Sequence, residues 1–144
     1  MTTGSRHHAR EVALRTLYLW EVGRVQPQTA VELYREMTDG DEDEPDLADT
    51  GRAFAERLVH GVASSIADLD SVIERHAQNW RLARMAVIDR LILRLAAYEL
   101  LHEPETPASV AIDEALELAR TFSEEDAVRF VNGILDAIHK HGHD

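Results

Sequence analysis

The apolar positions of the chain are densest over residues 84–101, RMAVIDRLILRLAAYELL, which contain no Gly or Pro. Apolar residues recur here at i, i+3 and i+4, as on one face of a helix, and others cover much of the remaining surface. Such a helix is usually central, with other helices packed around it. Arg90 and Arg94 form its polar edge, and Glu99 is expected to pair with an Arg or with backbone N–H groups. Five charged residues argue against a membrane span.

Helical periodicity continues on both sides and predicts six further helices. They cover residues 6–22, 29–37 and 50–64, then begin at 66, at 107 and at about 124. Their start and stop signals are Ser5 and Thr106 as N-caps, Gly23 as a left-handed C-terminal residue, Pro107 in a first turn, and capping boxes at Ser65/Asp68 and Ser123/Asp126. The main core positions are Ala9, Ala13, Leu17, Trp20, Phe54, Leu58, Val59, Val62, Leu69, Ile73, Trp80, Ala111, Ala115, Leu118, Ala127, Val131, Ile134 and Ile138.

No segment has the period-2 alternation of a strand. The fold is therefore predicted to be all-α, a bundle of about seven helices in two small halves around the buried central helix. The halves are expected at residues 1–80 and 81–144, within a single domain. Gly133 falls inside the last helix, where it costs about 1 kcal/mol relative to Ala, so we expect a close helix–helix approach there.

Residues 38–49, TDGDEDEPDLAD, are predicted to be a solvated, mobile loop because Gly, Pro and many acids cannot form a core element. The segment lacks the 12-residue spacing of an EF-hand, which excludes that kind of calcium loop. Between Glu36 and Asp49 lie eight acids and no base. They carry most of the excess behind the net charge of −12, which taken alone argues against nucleic acid.

Enzyme chemistry has little support in the sequence. The chain has no Cys, no Gly-x-Ser-x-Gly elbow, no phosphate-binding Gly loop and no His-Glu-x-x-His motif. The adjacent acids Asp113 and Glu114 would point about 100° apart on a helix, so they cannot easily share a substrate. No cofactor or metal site is predicted, and the absence of an apolar leader and of disulfides fits a cytoplasmic protein.

Two clusters could bind a ligand. Arg6-His7-His8-Ala9-Arg10 places two guanidiniums one turn apart near a helix start, where they can reach phosphates while His stacks on bases. Many surface helices carry as much charge, so without further context this cluster is interpreted as a solvated helix end. The tail, with His139, His141 and His143, can chelate a transition metal when flexible but is expected to fray.

Beyond these features, the chain resembles the NusB family of transcription antitermination factors almost from end to end. The N-terminal motifs are Ala9-Arg10-Glu11, Leu17-Tyr18-x-Trp20 and Leu58-Val59-x-Gly61-Val62, followed by the region of Asp70. The C-terminal ones are Asp89-Arg90-x-Ile92-Leu93-Arg94, Ala97-Tyr98-Glu99-Leu100, Pro107 with Val110-Ala111-Ile112-Asp113-Glu114-Ala115, and Glu125-Asp126 with Phe130-Val131-Asn132-Gly133-Ile134-Leu135-Asp136.

The resemblance implies an all-α RNA-binding factor rather than an enzyme. Such a factor pairs with the ribosomal protein NusE, binds the boxA element of ribosomal RNA leaders, and joins other Nus factors on RNA polymerase to suppress premature termination. Affinity would come from phosphate contacts and specificity from unpaired bases. No membrane partner is implied.

Residue by residue, the resemblance implies two surfaces. The RNA surface would comprise Arg6, His7, His8, Arg10, Arg94, Arg129 and Phe130. The NusE surface would comprise Tyr18, Asp89, Phe122 and Asp126, with Asp89 the exposed acid of a buried helix. Tyr18 and Phe122 are equally explicable as core aromatics, and Asp126 as the acid of a capping box.

One departure from the family is that His7 and His8 stand where further Arg residues are usual. Fewer cations should lower affinity and salt dependence, and protonation below about pH 6.5 should restore part of both. Another is Ala127, where Ser is common, with little expected consequence.

Three alternatives keep the fold and change the role. The first is the NusB-like N-terminal domain of a ribosomal RNA cytosine methyltransferase, which the length of this chain disfavours. The second is a homodimeric protein-interaction module that buries the arginine-rich start and binds no RNA. The third is a metal-binding role for the histidine tail.

Overall fold

Seven α-helices form the described part of the chain in a computed structural model that describes residues 3–44, 47–78 and 81–141. They are α1 (Thr3–Gly23), α2 (Pro27–Thr38), α3 (Asp49–Ser64), α4 (Ile66–His76), α5 (Val87–His102), α6 (Ala108–Phe122) and α7 (Glu125–His141). No strand occurs within these residues. The predicted all-α fold of about seven helices is confirmed. None of the described helices combines the length and the apolar character that crossing a bilayer requires.

Packing divides the chain into two units, Met1–Ala63 and Ser64–Asp144. In the first unit, α1 packs along α2, and Phe54 and Leu58 of α3 are fully buried. In the second unit, α5 contacts α4, α6 and α7, which makes it the central helix that its apolar sequence predicts. Helix α4, which a boundary at residue 80 would assign to the N-terminal half, packs against α5 and α7 in the second unit.

The central helix begins later than its apolar pattern predicts. Residues Leu82–Arg84 form a 3₁₀ turn, and α5 starts at Val87 after Ala86 in an extended conformation. The helix then buries every residue from Leu91 to Ala97, including Arg94, together with Asp89 and Glu99. The predicted polar edge of Arg90 and Arg94 is therefore wrong for Arg94, whose residue is only 7% exposed.

Several predicted helix ends differ from the structure. Helix α1 begins at Thr3, so Ser5 lies inside it rather than capping it. Gly23 is not left-handed; the residue with positive φ is Arg24, at 54°, one position later. Pro107, not Thr106, is the N-cap of α6. Ser65 caps α4 without a side-chain hydrogen bond, so the Ser65/Asp68 capping box does not form.

Other expectations concern single positions. Gly133 is exposed, and a Cβ placed on it would meet no atom within 4 Å, so the predicted close helix approach is wrong. Helix α7 continues through His139 and His141, where fraying was predicted. His76, one turn after Val72 on α4, is half-buried, and its Nδ1 lies 2.9 Å from the Val72 carbonyl oxygen. Trp80 and His143 lie outside the described residues.

Candidate nucleic-acid interface

Three arginines of the first unit surround one aromatic ring. The guanidinium carbon of Arg6 lies 4.1 Å from the centroid of Phe54, that of Arg57 5.2 Å and that of Arg10 5.3 Å. Phe54 itself is 1% exposed. A cation over an aromatic face gains about 0.5–2 kcal/mol, depending on how far it is desolvated. The ring of α3 therefore fixes cations that come from both α1 and α3.

The two arginines at the start of α1 are in different environments. Arg10 is only 2% exposed, whereas Arg6 is half-buried. Their spacing of one turn does put both on the side of Phe54, but Arg10 lies deeper because it is flanked by Ala9 and Ala13, which are fully buried. The expectation that Arg10 contacts RNA directly does not fit this burial. Arg10 acts here as a packed cation beneath Arg6.

The two histidines of the predicted RNA surface also differ. His7 Nε2 lies 2.8 Å from Glu11 Oε1, one turn further along α1, and His7 is half-buried. His8 is exposed, and its ring centroid is 6.1 Å from that of His7. His8 is thus the more accessible imidazole of the pair.

Arg94, placed on the RNA surface by the resemblance, is held inside the second unit. Its Nε donates to Asp70 Oδ1 at 2.7 Å and its Nη2 to Asp70 Oδ2 at 2.9 Å. The side chain of Arg94 is 8% exposed and that of Asp70 27%. Two parallel charge-assisted hydrogen bonds of this kind bind a guanidinium strongly, so Arg94 joins α5 to α4 rather than facing solvent. The expectation that Arg94 is available to phosphate does not fit this geometry.

The remaining predicted RNA residues are neighbours on α7. Arg129 is exposed and Phe130 is half-buried. The helix buries Ala127 and Val131 on its core side, which leaves position 129 on the outer surface. A cation beside a partly exposed aromatic ring can serve both phosphate and base contacts.

The predicted NusE residues differ in how exposed they are. Tyr18 is 44% exposed on α1, and Asp126 is exposed in the first turn of α7. Val22, one turn after Tyr18, is 55% exposed and widens the apolar surface. The sequence analysis did not single out Val22, and only its exposure in the structure identifies it. Phe122 is half-buried at the end of α6.

Asp89 differs from its prediction as an exposed acid, because it is 9% exposed and accepts a hydrogen bond from the Ser123 hydroxyl. Ser123 is the residue after α6, so this bond ties the start of α5 to the connection between α6 and α7. The hydroxyl that the sequence assigns to a capping box with Asp126 donates to Asp89 instead. Asp89 can therefore influence a partner surface mainly through the backbone that it holds.

The acidic segment is not wholly solvated. The Tyr34 hydroxyl donates to Glu44 Oε1, and Glu44 Oε2 lies 3.6 Å from Arg15 Nη1. Burial, followed by the hydrogen bond to Glu44, raises the pKa of Tyr34 to about 12. Leu47 is buried and packs against Gly51. The segment borders a cavity of about 530 Å³ within the first unit, lined in part by Val31, Tyr34 and Glu44.

The histidine tail is helical as far as it is described. His139 and His141 are exposed in the last turn of α7, beside an ion pair between Lys140 and Asp136 of 3.0 Å. Within residues 3–44, 47–78 and 81–141 there is no group of three His, Asp or Glu side chains arranged to hold a metal ion.

Comparisons with known proteins agree along nearly the whole chain. The sequence model of the NusB family matches residues 7–140. Transcription antitermination protein NusB of Elusimicrobium minutum is 45% identical over 138 residues, which are 95% of this chain and 94% of that protein. A structure of T. maritima NusB aligns with a TM-score of 0.83 at 34% identity, covering 94% of this chain and 91% of the other.

A crystal structure of the antitermination factors NusB and NusE in complex with double-stranded RNA is also similar. It aligns with a TM-score of 0.82 at 27% identity and covers 96% of this chain and 98% of that one.

Proposed function

The chain belongs to the NusB family, and on that basis we propose that it is a transcription antitermination factor that binds RNA together with NusE. The observation that carries this proposal is the likeness, over 96% of the chain, to a protein solved with NusE and RNA. The NusB relative from E. minutum, 45% identical, supports the same role. The homodimeric module without RNA binding is not favoured by these comparisons.

The finer assignments follow from the family. We propose that the RNA is a boxA-type element of ribosomal RNA leaders, and that the complex with NusE joins the RNA polymerase elongation complex through other Nus factors. The protein works by binding and catalyses no reaction. Its place of action is the cytoplasm, where transcription in bacteria occurs. The RNA-binding domain comprises residues 1–144.

The geometry divides the RNA residues into contacting and structural groups. We propose that Arg6, His8 and Arg129 reach the RNA, since all three are exposed or half-exposed. His7 and Phe130, which are half-buried, contact the RNA less extensively than these three residues. Arg10 and Arg94 stabilise the fold of their own units and do not contact the RNA, because burial and their contacts with Phe54 and Asp70 hold them in the protein.

The NusE residues divide in the same way. Tyr18, Phe122 and Asp126 supply contacts, and Asp89 positions the connection after α6 through Ser123. An exposed Tyr with a neighbouring apolar Val is typical of a protein–protein interface, where aromatic anchors carry much of the binding energy.

Fluorescence anisotropy of a labelled boxA-like RNA tests the proposal. The protein is titrated with and without its cognate NusE, against a scrambled RNA, with Arg6→Gln and Arg129→Gln as variants. Arg120→Gln is the matched control, because Arg120 is exposed on α6 and pairs with Glu117 at 2.5 Å. Sequence-dependent binding that NusE strengthens and the two variants weaken supports the proposal. No binding in any combination at low salt contradicts it.

A further inference from the structure

We propose that Arg57 of α3 binds RNA phosphate and forms, with Arg6 of α1, a two-helix phosphate site built on the ring of Phe54. This inference rests on the proposed RNA-binding function. Neither the arginine-rich start of the chain nor the resemblance assigns any role to Arg57. In the structure Arg57 contacts the same Phe54 ring as Arg6, although the two arginines are far apart in sequence.

Convergence on one ring is the first argument. The guanidinium carbons of Arg6 and Arg57 lie 4.1 and 5.2 Å from the same centroid, so one ring contacts cations from two different helices. Like charges repel, and the attraction of each guanidinium to the Phe54 ring offsets part of that repulsion. An anion that contacts both side chains would offset more of it. Phosphate is the anion that guanidinium groups recognise best, through forked N–H donors.

Accessibility is the second argument. Arg57 is exposed although its ring partner is 1% exposed, and Arg6 is half-buried. A guanidinium lying over a ring still carries N–H donors at its edge. The Phe54 contact therefore limits the mobility of the arginine stems, which lowers the entropy lost when RNA is bound.

The charges around the site are the third argument. Glu56, the acid next to Arg57, is engaged by Arg35, with Nη2 and Oε1 2.6 Å apart. His7 Nε2 likewise lies 2.8 Å from Glu11 Oε1. Arg57 thus adds a permanent cation from α3 to the two that α1 places on the same ring.

The test measures RNA affinity as a function of salt, with NusE present. Arg57→Gln is expected to weaken binding several-fold and to lower the slope of log affinity against log salt by about 0.7–0.9, the effect of one lost phosphate contact. Arg57→Lys is expected to keep most of the slope. Arg52→Gln, which removes an exposed arginine of the same helix, is the control and should change neither quantity.

A second measurement uses the unsubstituted protein and so does not depend on variant folding. Phenylglyoxal modifies accessible guanidiniums, and mass spectrometry gives the rate at each arginine. Bound RNA is expected to slow modification of Arg57 but not of Arg52.

The possible failures are distinguishable. If the unsubstituted protein with NusE binds no RNA, the proposed function fails. If it binds and Arg57→Gln leaves the salt slope unchanged, with or without a loss of affinity, the Arg57 site is wrong. Equal modification of Arg57 with and without RNA is equally decisive against it.

Discussion

Arg94 of α5 and Asp70 of α4 form a forked ion pair, with N–O distances of 2.7 and 2.9 Å. Because the Arg94 side chain is 8% exposed, loss of its partner leaves a cation in a poorly solvated place. We expect Asp70→Asn to lower the free energy of unfolding by about 1–3 kcal/mol, because the pair is only partly buried, with the Asp70 side chain 27% exposed, and Asn keeps an acceptor oxygen. Urea denaturation followed by circular dichroism measures this.

Glu74→Gln on the same helix is the control, since Glu74 is exposed and should change stability little. The RNA affinity of Asp70→Asn, measured where the variant is fully folded, should match that of the unsubstituted protein. A gain in affinity on release of Arg94 would instead make Arg94 a direct RNA contact.

The bond between Ser123 and Asp89 predicts that Asp89 and Asp126, two acids of the proposed NusE surface, have different roles. Ser123→Ala removes the donor to a buried carboxylate and should cost about 1–3 kcal/mol of stability. Asp126→Asn, at an exposed position, should leave stability nearly unchanged but weaken NusE binding. Thermal unfolding and calorimetric titration with NusE give both quantities. Equal destabilisation by the two changes would refute the distinction.

Gly133 predicts a stabilising substitution. A Cβ at this exposed helical position would meet nothing within 4 Å, so Gly133→Ala should raise the free energy of unfolding by about 1 kcal/mol. Chemical denaturation measures the change. Binding of NusE and of RNA to the variant should be compared as well, since reduced affinity for one of them would show that the bare backbone at this position is a contact.

Tyr34 predicts a loss of stability at alkaline pH. Its pKa is raised to about 12 by burial and by the hydrogen bond to Glu44, whereas an unfolded chain loses the phenol proton near pH 10. The folded state therefore binds the proton more tightly. The contribution of Tyr34 to the free energy of unfolding is fully present below pH 10 and is lost as pH rises from 10 through 12.

Thermal unfolding between pH 8 and 11.5 should show this loss in the unsubstituted protein and a shallower decline in Tyr34→Phe. Tyr18→Phe, which changes an exposed tyrosine of the same unit, is the control and should follow the unsubstituted curve. Coincident curves for Tyr34→Phe and the unsubstituted protein would remove Tyr34 as the cause.

The histidines predict that RNA binding strengthens on acidification. Imidazole gains a proton as pH falls from 8 to 6, and each new cation near phosphate adds affinity. His8→Gln should reduce this gain, because His8 is exposed. Anisotropy titrations at both pH values test it, and an affinity independent of pH in the unsubstituted protein would contradict it.

The sequence predicts the helices well because their signal is local. Apolar periodicity placed Phe54, Leu58 and Val62 in the core, and the unbroken apolar run identified α5 as central. Helix ends were less accurate, since capping depends on which partner a side chain finds. Ser123 had the spacing of a cap, but Asp89 from another helix received its hydroxyl.

The candidate site shows the same limit. Spacing along α1 put Arg6 and Arg10 on one side but could not indicate which would be buried, because that depends on Phe54 of α3. Arg57 had no motif to mark it. The sequence predicts Arg94 on a polar edge of α5, but in the structure Arg94 pairs with Asp70 of α4. Contacts between distant residues decide each of these cases.

The arginines gathered on Phe54 belong to a protein whose formal net charge is −12, with eight acids between residues 36 and 49. RNA approaching from a distance therefore meets a repelling field and feels attraction only within roughly one Debye length of the cluster, about 8 Å at physiological salt. Added salt should first speed association, by screening the repulsion, before it weakens the bound state. We expect encounters in which the RNA does not face the arginine cluster to be short-lived. The charge distribution would then favour correctly oriented encounters before any contact with a base forms.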